Sequence, residues 1–143
     1  MNPSDAELEA IVQRGLSAYR AGLFYEAHEL WEDGWRAEPD PVRKAFLQGL
    51  ILVAAALHKL TRMRSPSGAV RLLDKAHARL AGVPEGMGGL AVGLLSGDVA
   101  RAARAIEQLA REGRTDLDAP LVPRMELAGE IAASSLAGAR PRP

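Results

Sequence analysis

Between Ala45 and Leu57 the chain is apolar all round a helical wheel, with Gln48 as the one polar interruption. A helix without a polar face cannot lie on a surface, so this segment has to be enclosed by other helices. Asp40 then Pro41 supplies an N-cap and a first helical position, and apolar residues continue to Leu60. This is the long third helix. Ahead of it, a Ser4–Glu7 capping box opens a run of Leu8, Ile11, Val12, Leu16 and Tyr19 at helical spacing, which pauses at Gly22. The second helix runs from Leu23 to about Ala37, with Phe24, Ala27, Trp31 and Trp35 on one side, and stops at Pro39. Ser65-Pro66 repeats the cap chemistry for a fourth helix, which ends near Gly82. The glycine-rich stretch from Gly82 to Gly97 reads as a flexible connector with one short turn. Asp98 then caps a fifth helix that reaches Arg111 and ends at Gly113.

No segment alternates apolar and polar residues with β-branched enrichment, so the expected class is all-α. Small–large–small spacings recur at Ala27-Trp31-Gly34, at Ala69-Leu73-Ala76 and at Ala102-Ile106-Leu109. They predict tetratricopeptide-like antiparallel hairpins around a long buried third helix, without the regular period of about 34 residues. The expected organisation is one domain of five to six helices over residues 1–122. A weak helix from Arg124 to about Leu136 and a flexible tail follow within 123–143.

The 18 Lys and Arg balance 18 Asp and Glu, so no global field draws the chain to a polyanion. Neither nucleic acid nor a membrane surface is the expected partner. The absence of cysteine excludes disulfides, thiolate zinc sites, iron–sulfur clusters and a cysteine nucleophile, so any metal must be held by His, Asp and Glu. The first residues have neither the basic start nor the apolar run of a secretory signal, and no apolar stretch reaches roughly 18 residues. The expected location is cytoplasmic.

Chemistry concentrates in one place. From Tyr25 to Trp35 lie His28, the acids Glu26, Glu29, Glu32 and Asp33, and both tryptophans. His28, Glu32 and Trp35 project from one helix face. An imidazole and a carboxylate one turn apart can grip a divalent cation, or the carboxylate can hold the imidazole tautomer for proton transfer, with the indole as a low-dielectric wall. The zincin pattern His-Glu-x-x-His fails here, because Glu32 stands where the second histidine belongs. If the second and third helices form a simple hairpin, His28 comes level with Gln48 or Gly49, and Gln48 can partner the His28–Glu32 pair. The same register holds His58 level with Tyr19, on the order of 13 Å from His28 along the axis. The candidate pocket is therefore His28, Glu32, Trp35 and Gln48, with Glu29 and His58 beside them, and the candidate metal ligands are His28 and Glu32.

These residues resemble the signature of a small bacterial and archaeal domain-of-unknown-function family, His-x-x-x-Glu-x-x-Trp, carried here by His28, Glu32 and Trp35 and preceded by Phe24 and Glu26. Phe46-Leu47-Gln48-Gly49-Leu50-Ile51, continuing to Ala55 and His58, is similar to the family's second stretch, and Gly68-Ala69-Val70-Arg71-Leu72-Leu73 to its third. The resemblance covers about residues 5–82. It implies an all-helical fold and a metal-binding role for the signature, with no established activity.

Two functions stay open at this point. In one, a polar pocket holds a divalent metal, for which the nitrogen and oxygen donors suit zinc, manganese or iron; metal-assisted hydrolysis is the reaction such a site would support. In the other, the helical hairpins present a groove to a peptide or protein, and the His–Glu–Trp set is structural. A homodimer through apolar faces is compatible with either.

Overall fold

The computed structural model describes the backbone of residues 3–130 and the side chains of residues 5–130. Among the described residues five α-helices follow one another, α1 (Pro3–Arg20), α2 (Phe24–Ala37), α3 (Pro41–Thr61), α4 (Pro66–Leu80) and α5 (Val92–Arg111), and residues 128–130 are also helical. Short 3-10 turns lie at Met87–Gly89 and Ala119–Leu121, and no strand occurs among the described residues. The chain is an all-α bundle. The Ser4 side chain of the expected capping box, and everything predicted beyond residue 130, lie outside the described residues.

Each helix packs on its neighbours in sequence, and α3 packs on both α2 and α4. The reason is its composition: Phe46, Leu47, Leu50, Val53, Ala54, Ala56 and Leu60 are all fully buried. Among the described residues α3 alone is long and apolar enough, by length and composition, to cross a membrane, and here it forms the centre of the core. Local chemistry sets the starts of α3 and α4. The Asp40 carboxylate accepts from the Arg43 N–H at 2.9 Å, and the Ser65 hydroxyl accepts from Gly68 N–H at 3.3 Å, each followed by proline at the first helical position.

Two expectations about the second half are overturned. The glycine-rich segment is not a flexible connector: Gly88, Leu90, Ala91 and Val92 are buried, and α5 starts at Val92 rather than after Asp98. Gly88 has φ +61°, and a Cβ there would stand 2.7 Å from the Phe46 ring and 2.8 Å from Val12, so only glycine lets the chain lie on the core at this point. Burial of Val92 and Leu95 outweighs the weak helix propensity of Gly93 and Gly97.

Asp98 is consequently no cap. It sits inside α5, 4% exposed, and accepts from the Arg124 backbone N–H at 3.0 Å and its guanidinium at 2.8 Å. These contacts displace the expected helix start from Arg124 to Ala128, and residues 128–130 are helical. Residues 123–126 are irregular, and Leu127 makes an isolated antiparallel bridge with Leu90. This strap is tied down further where the Tyr19 hydroxyl donates to the Pro123 carbonyl at 2.6 Å and Arg20 to the Met125 carbonyl at 2.9 Å. The Glu126 carbonyl in turn accepts from the Ala91 N–H at 2.9 Å, so these backbone groups of the strap find partners on the rest of the fold instead of within a helix.

Candidate metal centre on helix α2

Ala27 and Trp31, one turn apart, are the buried stripe of α2. His28 and Glu32 lie one residue further round, at the border between core and solvent, with side chains 25% and 24% exposed. The His28 Nε2 atom is 3.2 Å from a Glu32 oxygen, and Nδ1 is 3.3 Å from Glu29 Oε1. Nδ1 is itself buried and is not aligned for a hydrogen bond. One donor atom from each of His28, Glu29 and Glu32 falls within 4.8 Å of the others. Glu32 is also paired with Arg36, one turn on, and Arg36 reaches Asp33 at 3.5 Å.

Trp35 shares this side of the helix but is not the wall beside the imidazole. Seven residues advance it by roughly 10 Å along the axis. Its ring carries the Lys44 ammonium 4.2 Å from the centroid, and the same ammonium donates to the Trp35 carbonyl at 2.8 Å. The indole Nε1 is buried without a hydrogen-bond partner. The aromatic ring beside His28 is Tyr25, three residues earlier, stacked at 5.9 Å between centroids and 26° between planes. The i, i+3 spacing was visible in the sequence as the signal for it.

The register of α2 on α3 also differs from the simple hairpin. Tyr25 meets His58, with ring centroids 5.4 Å apart, and His28 lines one cavity with Ala55 and His58. The offset is about one and a half turns. It arises because the backbone is extended at Glu38 (ψ 117°) and Asp40 (ψ 124°), which carries α3 past the end of α2 before it turns back. His58 is thereby brought to the His28 cavity, on the far side of Tyr25. Gln48 is taken away from it: its side-chain oxygen accepts from Arg79 Nε of α4 at 2.9 Å. Gly49 serves packing, since a Cβ there would lie 2.7 Å from Leu80.

The donor set suits a divalent cation of intermediate hardness. A cation takes only one imidazole nitrogen. With Nε2 and Glu32 as ligands, the Glu29 carboxylate stands where it can hold the Nδ1–H, as second-shell carboxylates do in metal sites. No curated protein matches the chain. Residues 12–72, from α1 into α4 and including His28, Glu32, Trp35 and His58, match the family model described as Domain of unknown function (DUF309), and this segment of the chain resembles that family.

Proposed function

We propose that the chain binds a divalent metal ion on α2, with His28 Nε2 and Glu32 as ligands and Glu29 orienting the imidazole. The observation that carries the reading is the convergence of three donors within 4.8 Å around a half-buried imidazole whose Nδ1 has no aligned partner. Two protein ligands leave several coordination positions open to water or a small molecule, which is the arrangement metal-assisted chemistry requires.

Calorimetric titration of the metal-free protein with Zn2+, Mn2+ and Fe2+ tests it. Saturable binding is expected in the wild type, with loss in His28→Ala and Glu32→Gln, and weakening of about tenfold or more in Glu29→Gln. At about a hundredfold excess over Kd, the bound ion should raise stability by roughly 2.7 kcal/mol. Equal and negligible binding in the wild type and all variants sinks the metal reading. A stability loss in His28→Ala without any metal effect would then assign the pair to structure, in a helical-hairpin interaction module.

A further inference from the structure

A slot of about 170 Å3 opens between α2, α3 and α4 directly beside His28. Apart from the imidazoles of His28 and His58 and the stem of Lys59, its lining is Tyr25, Ala55, Met63 and Leu72. Ala55 and Leu72 are half-buried, whereas Tyr25 and Met63 are 53% and 57% exposed, two of the most exposed large apolar side chains among the described residues. Large apolar side chains held at the mouth of an apolar slot, with nothing among the described residues covering them, mark a place where a ligand is received.

The slot's size and charge narrow the ligand. An apolar cavity of roughly 150 Å3 holds a benzene ring. Tyr25 offers its ring between two imidazoles, at 5.9 and 5.4 Å from their centroids, and Met63 adds a polarizable, adaptable thioether. Lys59 has no ion-pair partner among the described residues, so the rim carries a cationic group available to an anion. We propose that the slot binds the ring of a small aromatic carboxylate, whose carboxylate is directed to Lys59 and to the metal at His28. The placement of the carboxylate on the metal rests on the metal-binding reading above; the seating of the ring does not.

The test is a titration of the isotope-labelled full chain with phenylacetate, followed by NMR, with acetate as the control and each run with and without Zn2+. Saturable shifts at the Ala55, Met63 and Leu72 methyl groups are expected with phenylacetate in the millimolar range or tighter, with no comparable shifts for acetate. Ala55→Leu, which fills the slot, should weaken phenylacetate by about tenfold or more and leave Zn2+ affinity within about twofold. Tyr25→Ala removes an exposed side chain with little risk to folding and should also weaken phenylacetate severalfold. No saturable shift, equal shifts with acetate, or undiminished binding in both variants overturns the proposal. Zn2+ binding without phenylacetate binding removes the slot and leaves the metal. Phenylacetate binding that is indifferent to Zn2+, in a protein that binds no metal, leaves the ring in the slot and removes the metal from the carboxylate's placement.

Discussion

Gly15 of α1 and Trp31 of α2 occupy one point of their interface: a Cβ on Gly15 would stand 2.1 Å from the indole Nε1 and 2.3 Å from Cε2. The missing side chain is what lets the indole lie flat enough to donate to the Val12 carbonyl at 3.2 Å. Gly15→Ala should therefore lower the unfolding free energy by about 1–3 kcal/mol, although alanine is the better helix former by roughly 1 kcal/mol. Gly97→Ala is the contrast. It is also helical, with nothing within 4 Å of its Cβ position, and should raise stability by up to about 1 kcal/mol. Urea midpoints at unchanged m-value report both, and a Gly15→Ala variant as stable as the wild type would rule out the interlock.

The two tryptophans differ in what their N–H groups do, and the difference has a measurable sign. Trp31 is fully buried and hydrogen-bonded, so Trp31→Phe loses a bond and leaves a void, at a cost of about 1–3 kcal/mol. The buried Trp35 Nε1 has no partner, so Trp35→Phe deletes an unsatisfied donor while keeping a ring for Lys44. Its unfolding free energy should stay within about 0.5 kcal/mol of the wild type or rise. Thermal and urea denaturation of both variants checks the ordering; a larger loss in Trp35→Phe than in Trp31→Phe contradicts it.

The parts of this fold that were legible in the sequence are those fixed by neighbours in the chain. Asp40-Pro41 and Ser65-Pro66 cap α3 and α4 through their own side chains, and the all-round apolar Ala45–Leu57 stretch could only be central. What was not legible depends on residues far away. The start of α5 is set where the Glu85 carboxylate accepts from the Val92 N–H and where Leu95 meets the core, neither of which propensity reports. Asp98 looks like a cap from its sequence because its partner, Arg124, is 26 residues away. At the candidate site, the grouping of His28 with Glu32 follows from helix periodicity alone. The company of His58 and the departure of Gln48 follow from the direction taken by three linker residues, Glu38 to Asp40, which no pattern along α2 or α3 encodes.

Asp98 makes stability depend on pH in a definite direction. Burial pushes its carboxyl up, but the hydrogen bonds from Arg124, with the charges of Arg124 and Arg101, outweigh that and hold it below the usual carboxylate range. Its folded value is therefore lower than the value of about 3.9 in the unfolded chain. The stabilisation is complete above the unfolded value and is lost as pH falls through the folded one. Asp98→Asn should cost about 2 kcal/mol at pH 7 and show a shallower decline of stability between about pH 5 and pH 2 than the wild type. Parallel declines in the two proteins would show that this carboxylate does not carry the acid sensitivity.

Arg36 competes for the carboxylate that the proposed metal needs. It pairs with Glu32 one turn away on the solvent side of α2, with its own side chain 61% exposed. A guanidinium in that position both occupies the ligand oxygens and repels an arriving dication. Because the guanidinium itself is largely solvated, the repulsion is worth no more than about 0.5–1 kcal/mol. Arg36→Ala should therefore tighten Zn2+ binding by roughly two- to fivefold at low salt, with a smaller gain at about 1 M salt, where exposed charges are screened. Arg36→Gln, which keeps a hydrogen-bonding side chain without the charge, should behave like the alanine variant, and Arg36→Lys like the wild type. Calorimetric titrations at the two salt concentrations separate the cases. If Arg36→Ala leaves the affinity unchanged while His28→Ala abolishes it, Glu32 is not a ligand, and the metal is held by His28 with Glu29 instead.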